Sequence, residues 1–93
     1  MKELEGSLFE RIIQNDESLS LEGLRDVYFK NMGSTTVDVG LLKLRNYEET
    51  RFASNITLDQ KSLPITFDTK NGGSKRLYVR AIKVTGCICR EKK

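Results

Sequence analysis

The sequence predicts an all-β protein, a single small antiparallel β-sandwich for which a jelly-roll-like strand order is one candidate. Apolar and polar residues alternate over several short segments, as half-buried strands require. Turn-forming residues separate these segments at intervals of about eight to twelve residues, which is typical of sandwiches and barrels. The length of 93 residues suits one domain. We therefore predict one domain over 1–93, in which 1–17 and 87–93 are candidates for extended arms.

The first half of the chain predicts four or five strands. Segment 7–13 fits either a strand or one to two helical turns, because Leu8 and Ile12 recur at helical spacing. Strands are predicted over 18–22, 24–30, 35–39 and 41–44 from their alternation. A hairpin is expected around 31–34, where Gly33 is free to adopt positive φ. The residues expected to face the core are Val27, Phe29, Val37, Val39, Leu42 and Leu44.

The second half predicts strands over 50–53, 56–58, 63–69 and 75–85. Between the last two lies Lys-Asn-Gly-Gly-Ser, a strong turn sequence. The sequence therefore predicts a second hairpin, with each pair of opposing residues stabilising it by about 0.2–1 kcal/mol. Its expected pairs are Phe67 with Leu77, Ile65 with Val79, Leu63 with Ala81 and Asp68 with Arg76.

The sequence contains few of the side chains that enzymes use for catalysis, and we predict that the chain is not an enzyme. It contains no histidine, so the usual general base near neutral pH and every histidine-dependent nucleophile arrangement are lacking. The adjacent carboxylates Glu48-Glu49 and Asp16-Glu17 fit solvated loop positions. No cofactor, metal or small-molecule substrate is expected.

The two cysteines, Cys87 and Cys89, are separated by one residue. A disulfide between them would close a very tight loop with poor geometry, and two thiols alone do not complete a zinc site. Their simplest interpretation is as small hydrophobic residues on one face of a strand. The alternative is an intermolecular disulfide or a metal shared within an oligomer.

Charge is distributed unevenly along the chain. Residues 1–50 contain six Lys/Arg and ten Asp/Glu, a net charge of −4, whereas residues 51–93 contain ten and three, a net charge of +7. The two halves could mix their charges on one surface, dock acidic to basic between copies, or bind nucleic acid through the basic half. The candidate binding face for nucleic acid is Arg76, Tyr78, Arg80 and Lys83.

No segment approaches the ~20 apolar residues that span a bilayer, so no membrane span is expected. The first residues are acidic and lack the apolar region of a signal peptide. The expectation from these features is a protein that stays in the cytoplasm in which it is made, or is assembled there into a larger particle.

Segment 63–80, Leu-Pro-Ile-Thr-Phe-Asp-Thr-Lys-Asn-Gly-Gly-Ser-Lys-Arg-Leu-Tyr-Val-Arg, resembles the closing hairpin of small β-sandwich virion proteins of bacteriophages. Segment 31–40 is similar in style, as a short Thr/Val hairpin, and the likeness covers about 27–84. The resemblance implies a structural role, with many copies held together by subunit contacts in a capsid, vertex, spike or tail. It transfers no functional residue, because these proteins share no catalytic motif.

The leading functional prediction is a structural subunit of a virus particle, assembled in the host cytoplasm and located in the virion. Its expected partners are copies of itself and other virion proteins. The opposite charges of the two halves suit head-to-tail packing, and a small domain gains stability from its neighbours. The alternative is a small β-barrel that binds single-stranded nucleic acid through the basic face.

Overall fold

The structure, a computed structural model, describes residues 4–52, 56–70 and 72–87, and this part of the chain contains strands and no helix. The fold is all-β, as predicted. Segment 7–13 belongs to a strand rather than a helix, which settles that ambiguity. The strands are β1 (Leu4–Ile13), β2 (Glu17–Leu19), β3 (Leu24–Asn31), β4 (Val37–Val39), β5 (Leu42–Leu44), β6 (Glu49–Phe52), β7 (Leu63–Phe67) and β8 (Leu77–Cys87).

The strands form two four-stranded antiparallel sheets with jelly-roll connectivity. Sheet I has the order β1-β8-β3-β6, and sheet II has the order β2-β7-β4-β5. The pairs β1·β8, β2·β7, β3·β6 and β4·β5 fold the chain back on itself, first strand against last. Every connection except the one between β4 and β5 crosses from one sheet to the other. This double Greek key therefore places strands distant in sequence side by side.

Both predicted hairpins are wrong. β7 pairs with β2 and β4 in sheet II, whereas β8 pairs with β1 and β3 in sheet I. Likewise, β3 and β4 lie in different sheets. Phe67 and Leu77 are both buried, but they reach the core from opposite sheets instead of lying side by side. Alternation identifies the buried face of each strand, but it does not identify the neighbouring strand.

Three smaller predictions also need correction. Segment 56–58 forms no strand, although Leu58 exchanges backbone hydrogen bonds with the start of β3. Leu42 is 42% exposed although it lies opposite the buried Val39, because β5 is an edge strand, whereas Leu44 on the same strand is buried. Gly33 does not adopt positive φ. A glycine is needed at that position because a Cβ would lie 2.3 Å from the carbonyl oxygen of Ser74.

The core lies between the two sheets and is filled by apolar side chains from seven of the eight strands. The fully buried large residues include Phe29 and Val27 of β3, Leu77 and Val79 of β8, and Ile65 of β7. The predicted inward positions of β3 and β4 are confirmed. Burial of a side chain of this size stabilises the fold by about 1.5–3 kcal/mol relative to exposure, so this alternating pattern is the main source of stability.

Asn31, at the end of β3, links the two sheets at one end of the sandwich. It is fully buried. Its Nδ2 donates to the carbonyl oxygens of Thr35 at 2.9 Å and Leu44 at 3.0 Å, and its Oδ1 accepts from the Gly33 N–H at 3.0 Å. The side chain therefore satisfies two backbone groups of the loop between β3 and β4 and one at the end of β5, which would otherwise be buried without partners.

Candidate interaction surface

The outer face of sheet I is the candidate site, and it is built from residues that alternate with the core residues of its four strands. Glu10 of β1 is opposite Arg80 of β8, and Arg80 is opposite Tyr28 of β3. Tyr28 is in turn opposite Arg51 of β6. The neighbouring row runs Ile12, Tyr78, Lys30 and Glu49 across the same strands. We use "the outer face of sheet I" for these two rows together with Leu8 and Ile82, which are opposite each other on β1 and β8.

Two tyrosine–glutamate hydrogen bonds hold the rows together. The Tyr28 hydroxyl donates to Glu49 Oε1 at 2.5 Å, and the Tyr78 hydroxyl donates to Glu10 Oε2 at 2.5 Å. Each hydrogen bond to a carboxylate stabilises the protonated phenol and thereby raises the pKa of its tyrosine above the ordinary value of 10.0. The same two hydrogen bonds fix the orientation of both tyrosine rings, which meet edge to face with centroids 6.1 Å apart.

Arg80 lies at the centre of the face, over the aromatic rings. Its guanidinium carbon is 4.7 Å from the centroid of the Tyr28 ring and 6.0 Å from that of Tyr78. A guanidinium at these distances is attracted by the negative face of the ring, by about 0.5–1 kcal/mol at an exposed site. The rings and the guanidinium therefore form a preorganised cluster on a rigid sheet.

Apolar side chains border this cluster on the β1 side. Leu8 is 63% exposed, Ile82 is 44% exposed and Ile12 is 42% exposed. Leu8 and Ile82 line a shallow depression of about 340 Å³ together with Tyr28 and Arg80. In the described part of the chain nothing covers this apolar strip, so its contribution to stability is small while the domain is alone.

The predicted binding residues do not all meet on this face. Tyr78 and Arg80 lie at its centre, and Arg76 is exposed one residue before β8 begins. Lys83 is three positions beyond Arg80, so alternation turns its side chain to the other side of the sheet. There it lines a groove with Phe9 and Leu24, and therefore does not extend the basic face.

The sequence reasoning missed the residues that the other strands contribute. Tyr28, Arg51, Glu10 and Glu49 surround Arg80 only because β3, β6 and β1 belong to the same sheet as β8. Tyr28 carried a signal, since it lies between the inward residues Val27 and Phe29 and must face outward. No comparable signal identified which outward residues become neighbours.

The charges of the outer face largely cancel. Glu10 and Glu49 carry the two carboxylates bonded to the tyrosines, and they lie beside the cations Lys30, Arg51 and Arg80. This balance is unlike the one-sided basic groove that tracks a nucleic acid backbone. The face thus combines aromatic, apolar and paired charged groups.

The adjacent carboxylates have structural partners. Glu48 Oε1 accepts from the Arg45 N–H at 2.7 Å, and Asp16 Oδ1 accepts from the Phe67 N–H at 2.9 Å. Glu17 forms an ion pair with Arg11 at 2.6 Å. Across the described residues, no three acidic or cysteine side chains cluster as metal ligands. The side chain of Cys87 and all of Cys89 lie outside the described residues.

Comparison with known proteins found no match: no family model, no curated protein and no solved structure matches the chain. Within the described ranges, no helix has the length and apolar character needed to cross a membrane.

Proposed function

We propose that this chain is a structural subunit of a virus particle, such as a minor capsid, vertex, spike or tail component, and that it acts through contacts with its own copies and with other virion proteins. The observation that carries the proposal is the outer face of sheet I. It presents Tyr28, Tyr78 and Arg80 beside the exposed Leu8 and Ile82. Tyrosine and arginine are enriched among the residues that dominate protein–protein binding energy.

The local pairing of charges favours a protein partner over a polyanion. A protein surface rewards an apolar strip bordered by complementary charges, because burying the strip removes apolar area from water at about 25 cal/mol per Å². Glu10 and Glu49 would instead repel phosphates that approached Arg80. The face therefore suits a partner that is itself part apolar and part charged.

The jelly-roll topology supports a place in a virus particle. Jelly rolls occur in viral capsid proteins, lectins and cupins. The chain has no histidine, the commonest metal ligand in proteins, and no tryptophan for stacking on sugars. The two segments that resemble hairpins of bacteriophage virion proteins, 63–80 and 31–40, are crossovers between the sheets and not hairpins. The jelly-roll topology and the outer face of sheet I therefore support the proposal more than that resemblance does.

The oligomeric mass of the purified chain tests the proposal. Native mass spectrometry and light scattering at high concentration and low salt, with and without reductant, should detect a defined oligomer. An oligomer that persists in reductant assigns assembly to surface contacts, whereas one that is lost assigns it to the thiols. A strict monomer under all these conditions contradicts the proposal.

A second candidate function is binding of single-stranded nucleic acid. It is favoured by the arginine Arg80 lying over two tyrosine rings with Arg51 nearby, because bases stack on aromatic side chains and guanidinium groups. Fluorescence anisotropy with a labelled oligonucleotide distinguishes the two functions. Binding that falls steeply with salt and disappears in the Tyr28→Ala variant would support this candidate.

A further inference from the structure

The two edges of sheet I are complementary to each other. β1 at one edge pairs only with β8, and β6 at the other edge pairs only with β3 among the described strands. An edge strand carries a row of outward N–H and C=O groups that can pair with a strand of another chain. β1 is ten residues long and has no proline, so little in it prevents such pairing.

The directions of the strands allow one copy to continue the sheet of another. Strands alternate in direction across sheet I, since all three pairings are antiparallel. β6 of one copy therefore runs opposite to β1 of a second copy placed beside it in the same orientation. A pairing of this kind is head to tail, and it closes into a ring when the rotation between copies allows.

One register matches both faces of the sheet. It places the outward Arg51 opposite Glu10 of the second copy, and Phe52 opposite Phe9 of the second copy. Phe52 is 39% exposed and already meets Phe29 edge to face at 5.8 Å, while Phe9 packs against the core from the other edge. Opposite charges would thus meet on the outer face and aromatic rings on the inner face.

Other registers lose this match. A shift of one residue turns outward side chains against inward ones, which breaks the continuity of the apolar face. A two-residue shift in one direction places Glu49 opposite Glu10, where like charges repel, and in the other direction it places Phe52 opposite Arg11. A two-fold pairing of β1 with itself around Glu10 has the same defect.

We infer that β6 of one copy pairs with β1 of a second copy in the register that sets Arg51 opposite Glu10, so that sheet I continues across subunits. This inference rests on the proposed assembly function and specifies which strands meet. It leaves the outer face of sheet I accessible for further contacts, both between copies of the chain and with other virion proteins. A closed ring also leaves no strand of sheet I with an unpaired edge, which prevents further growth.

A charge exchange tests the register. Glu10→Arg and Arg51→Glu should each raise the dissociation constant of the oligomer about tenfold, because each sets like charges opposite one another. The double variant should return it to within about threefold of the starting value, because the pair is restored in reverse. Sedimentation velocity over a concentration series gives these constants, and circular dichroism checks that each variant is folded.

Matched controls carry the same charge changes away from both edges. Asp68→Arg lies just after β7 of sheet II, and Lys61→Glu lies before β7; both residues are exposed. Neither control should change the dissociation constant more than about threefold. If either charge-exchange variant fails to fold, Glu10→Gln and Arg51→Gln remove the pair without reversing a charge, and each should still weaken association.

A designed disulfide tests the contact directly. Glu10 and Arg51 lie on strands three spacings apart in one copy, or about 14 Å, which is too far for a disulfide. With Cys87 and Cys89 changed to serine, the Glu10→Cys/Arg51→Cys variant should therefore cross-link only between copies on oxidation. Glu10→Cys/Glu49→Cys, displaced by two residues, should cross-link much less.

The outcomes separate this inference from the function on which it rests. An oligomer that ignores the charge exchange and forms no Glu10–Arg51 cross-link overturns the strand pairing but leaves the assembly function standing. A strict monomer overturns both. Loss of association in the single variants with recovery in the double variant supports both.

Discussion

The two outer faces of the sandwich differ sharply, although the same alternation of side chains builds both. The outer face of sheet I carries two tyrosines, an arginine above them and exposed leucine and isoleucine. Sheet II presents small polar groups: Ser18 and Ser62 share a hydrogen bond of 2.5 Å, and Asp38 pairs with Lys43 at 3.2 Å. Thr66, in the same sheet, is exposed.

The difference indicates that sheet I has side chains beyond what folding requires. A face that is exposed only to water needs polar groups, and the outer face of sheet II shows that a few small ones are enough to keep a sheet of this chain hydrated. Exposed Leu8 and Ile82 contribute little to the stability of the lone domain but bury apolar area when a partner covers them. We therefore expect contacts with a partner to involve sheet I and not the outer face of sheet II.

The difference between the two outer faces depends on a fixed packing of the two sheets. Among the substitutions considered, Asn31→Ala is expected to disturb that packing most. Asn31→Ala leaves the carbonyl oxygens of Thr35 and Leu44 and the Gly33 N–H buried without their partner. The free energy of unfolding should fall by about 2–3 kcal/mol, as expected for unsatisfied buried polar groups. Urea denaturation followed by circular dichroism measures this loss.

The neighbouring Met32 provides the control. It is 41% exposed, so Met32→Ala should change the free energy of unfolding by about 0.5 kcal/mol or less. Equal effects of the two substitutions would mean that Asn31 does not hold the sheets together.

Matched charge reversals on the two faces give the next largest effect. Arg80→Glu removes a guanidinium from two rings and sets a carboxylate opposite Glu10, so the unfolding free energy should fall by about 1 kcal/mol. Its dissociation constant for the oligomer should rise at least about tenfold. Sedimentation velocity and urea denaturation measure the two effects.

Lys43→Glu makes the corresponding change on sheet II, where it sets a carboxylate opposite Asp38. Because that pair is exposed, the unfolding free energy should fall by about 0.5 kcal/mol or less, and association should hold within about threefold. Similar weakening of association by both variants would remove the distinction between the faces.

The fold class and the buried faces of the strands were predictable because alternation reports burial directly. The all-β class, the approximate positions of β2 to β8 and the inward residues of β3 and β4 follow from side chains that point alternately to core and solvent. Strand order did not follow, because the turn-forming residues around Gly33 and Gly72-Gly73 are equally compatible with a hairpin and with a crossover between sheets. Pairing in a jelly roll depends on contacts distant in sequence.

Two turns beside β5 show the same limit at a smaller scale. Gly40, with φ of 62°, occupies the tight turn before β5, and glycine gives a sequence signal for such a turn. Tyr47, after β5, has φ of 65°, a conformation that costs a non-glycine residue about 1–2 kcal/mol. A tyrosine in the sequence does not indicate such a conformation. The Tyr47 N–H donates to the Asn31 carbonyl oxygen at 2.8 Å, so a contact distant in sequence helps to hold this conformation.

The candidate site was predictable only in part, for the same reason. Tyr78 and Arg80 came from one strand, whose alternation placed them together. Tyr28, Glu10 and Glu49 joined them only through strand order. Lys83 was included for its charge, although its position on β8 turns it away from Arg80.

The smallest expected effect concerns the titration of the tyrosines on sheet I. Hydrogen bonds to Glu49 and Glu10 raise the pKa of Tyr28 and Tyr78 in the folded domain above the ordinary value of 10.0. The folded state therefore binds more protons than the unfolded state near that pH. The stability that these bonds provide is fully present below pH 10 and is lost as the pH rises through the higher folded pKa values.

Absorbance at the tyrosinate band, followed from neutral to alkaline pH, measures this shift. Tyr28→Phe and Tyr78→Phe assign the two components, and Glu10→Gln should lower the pKa of Tyr78 by weakening the acceptor of its hydroxyl. Asp38→Asn on sheet II should leave both titrations unchanged, because that carboxylate pairs with Lys43 on the opposite side of the sandwich. If Glu10→Gln left the Tyr78 midpoint in place, the hydroxyl would not be bonded to Glu10 in solution. The outer face of sheet I would then lack one of the two bonds that fix its aromatic rings for a partner.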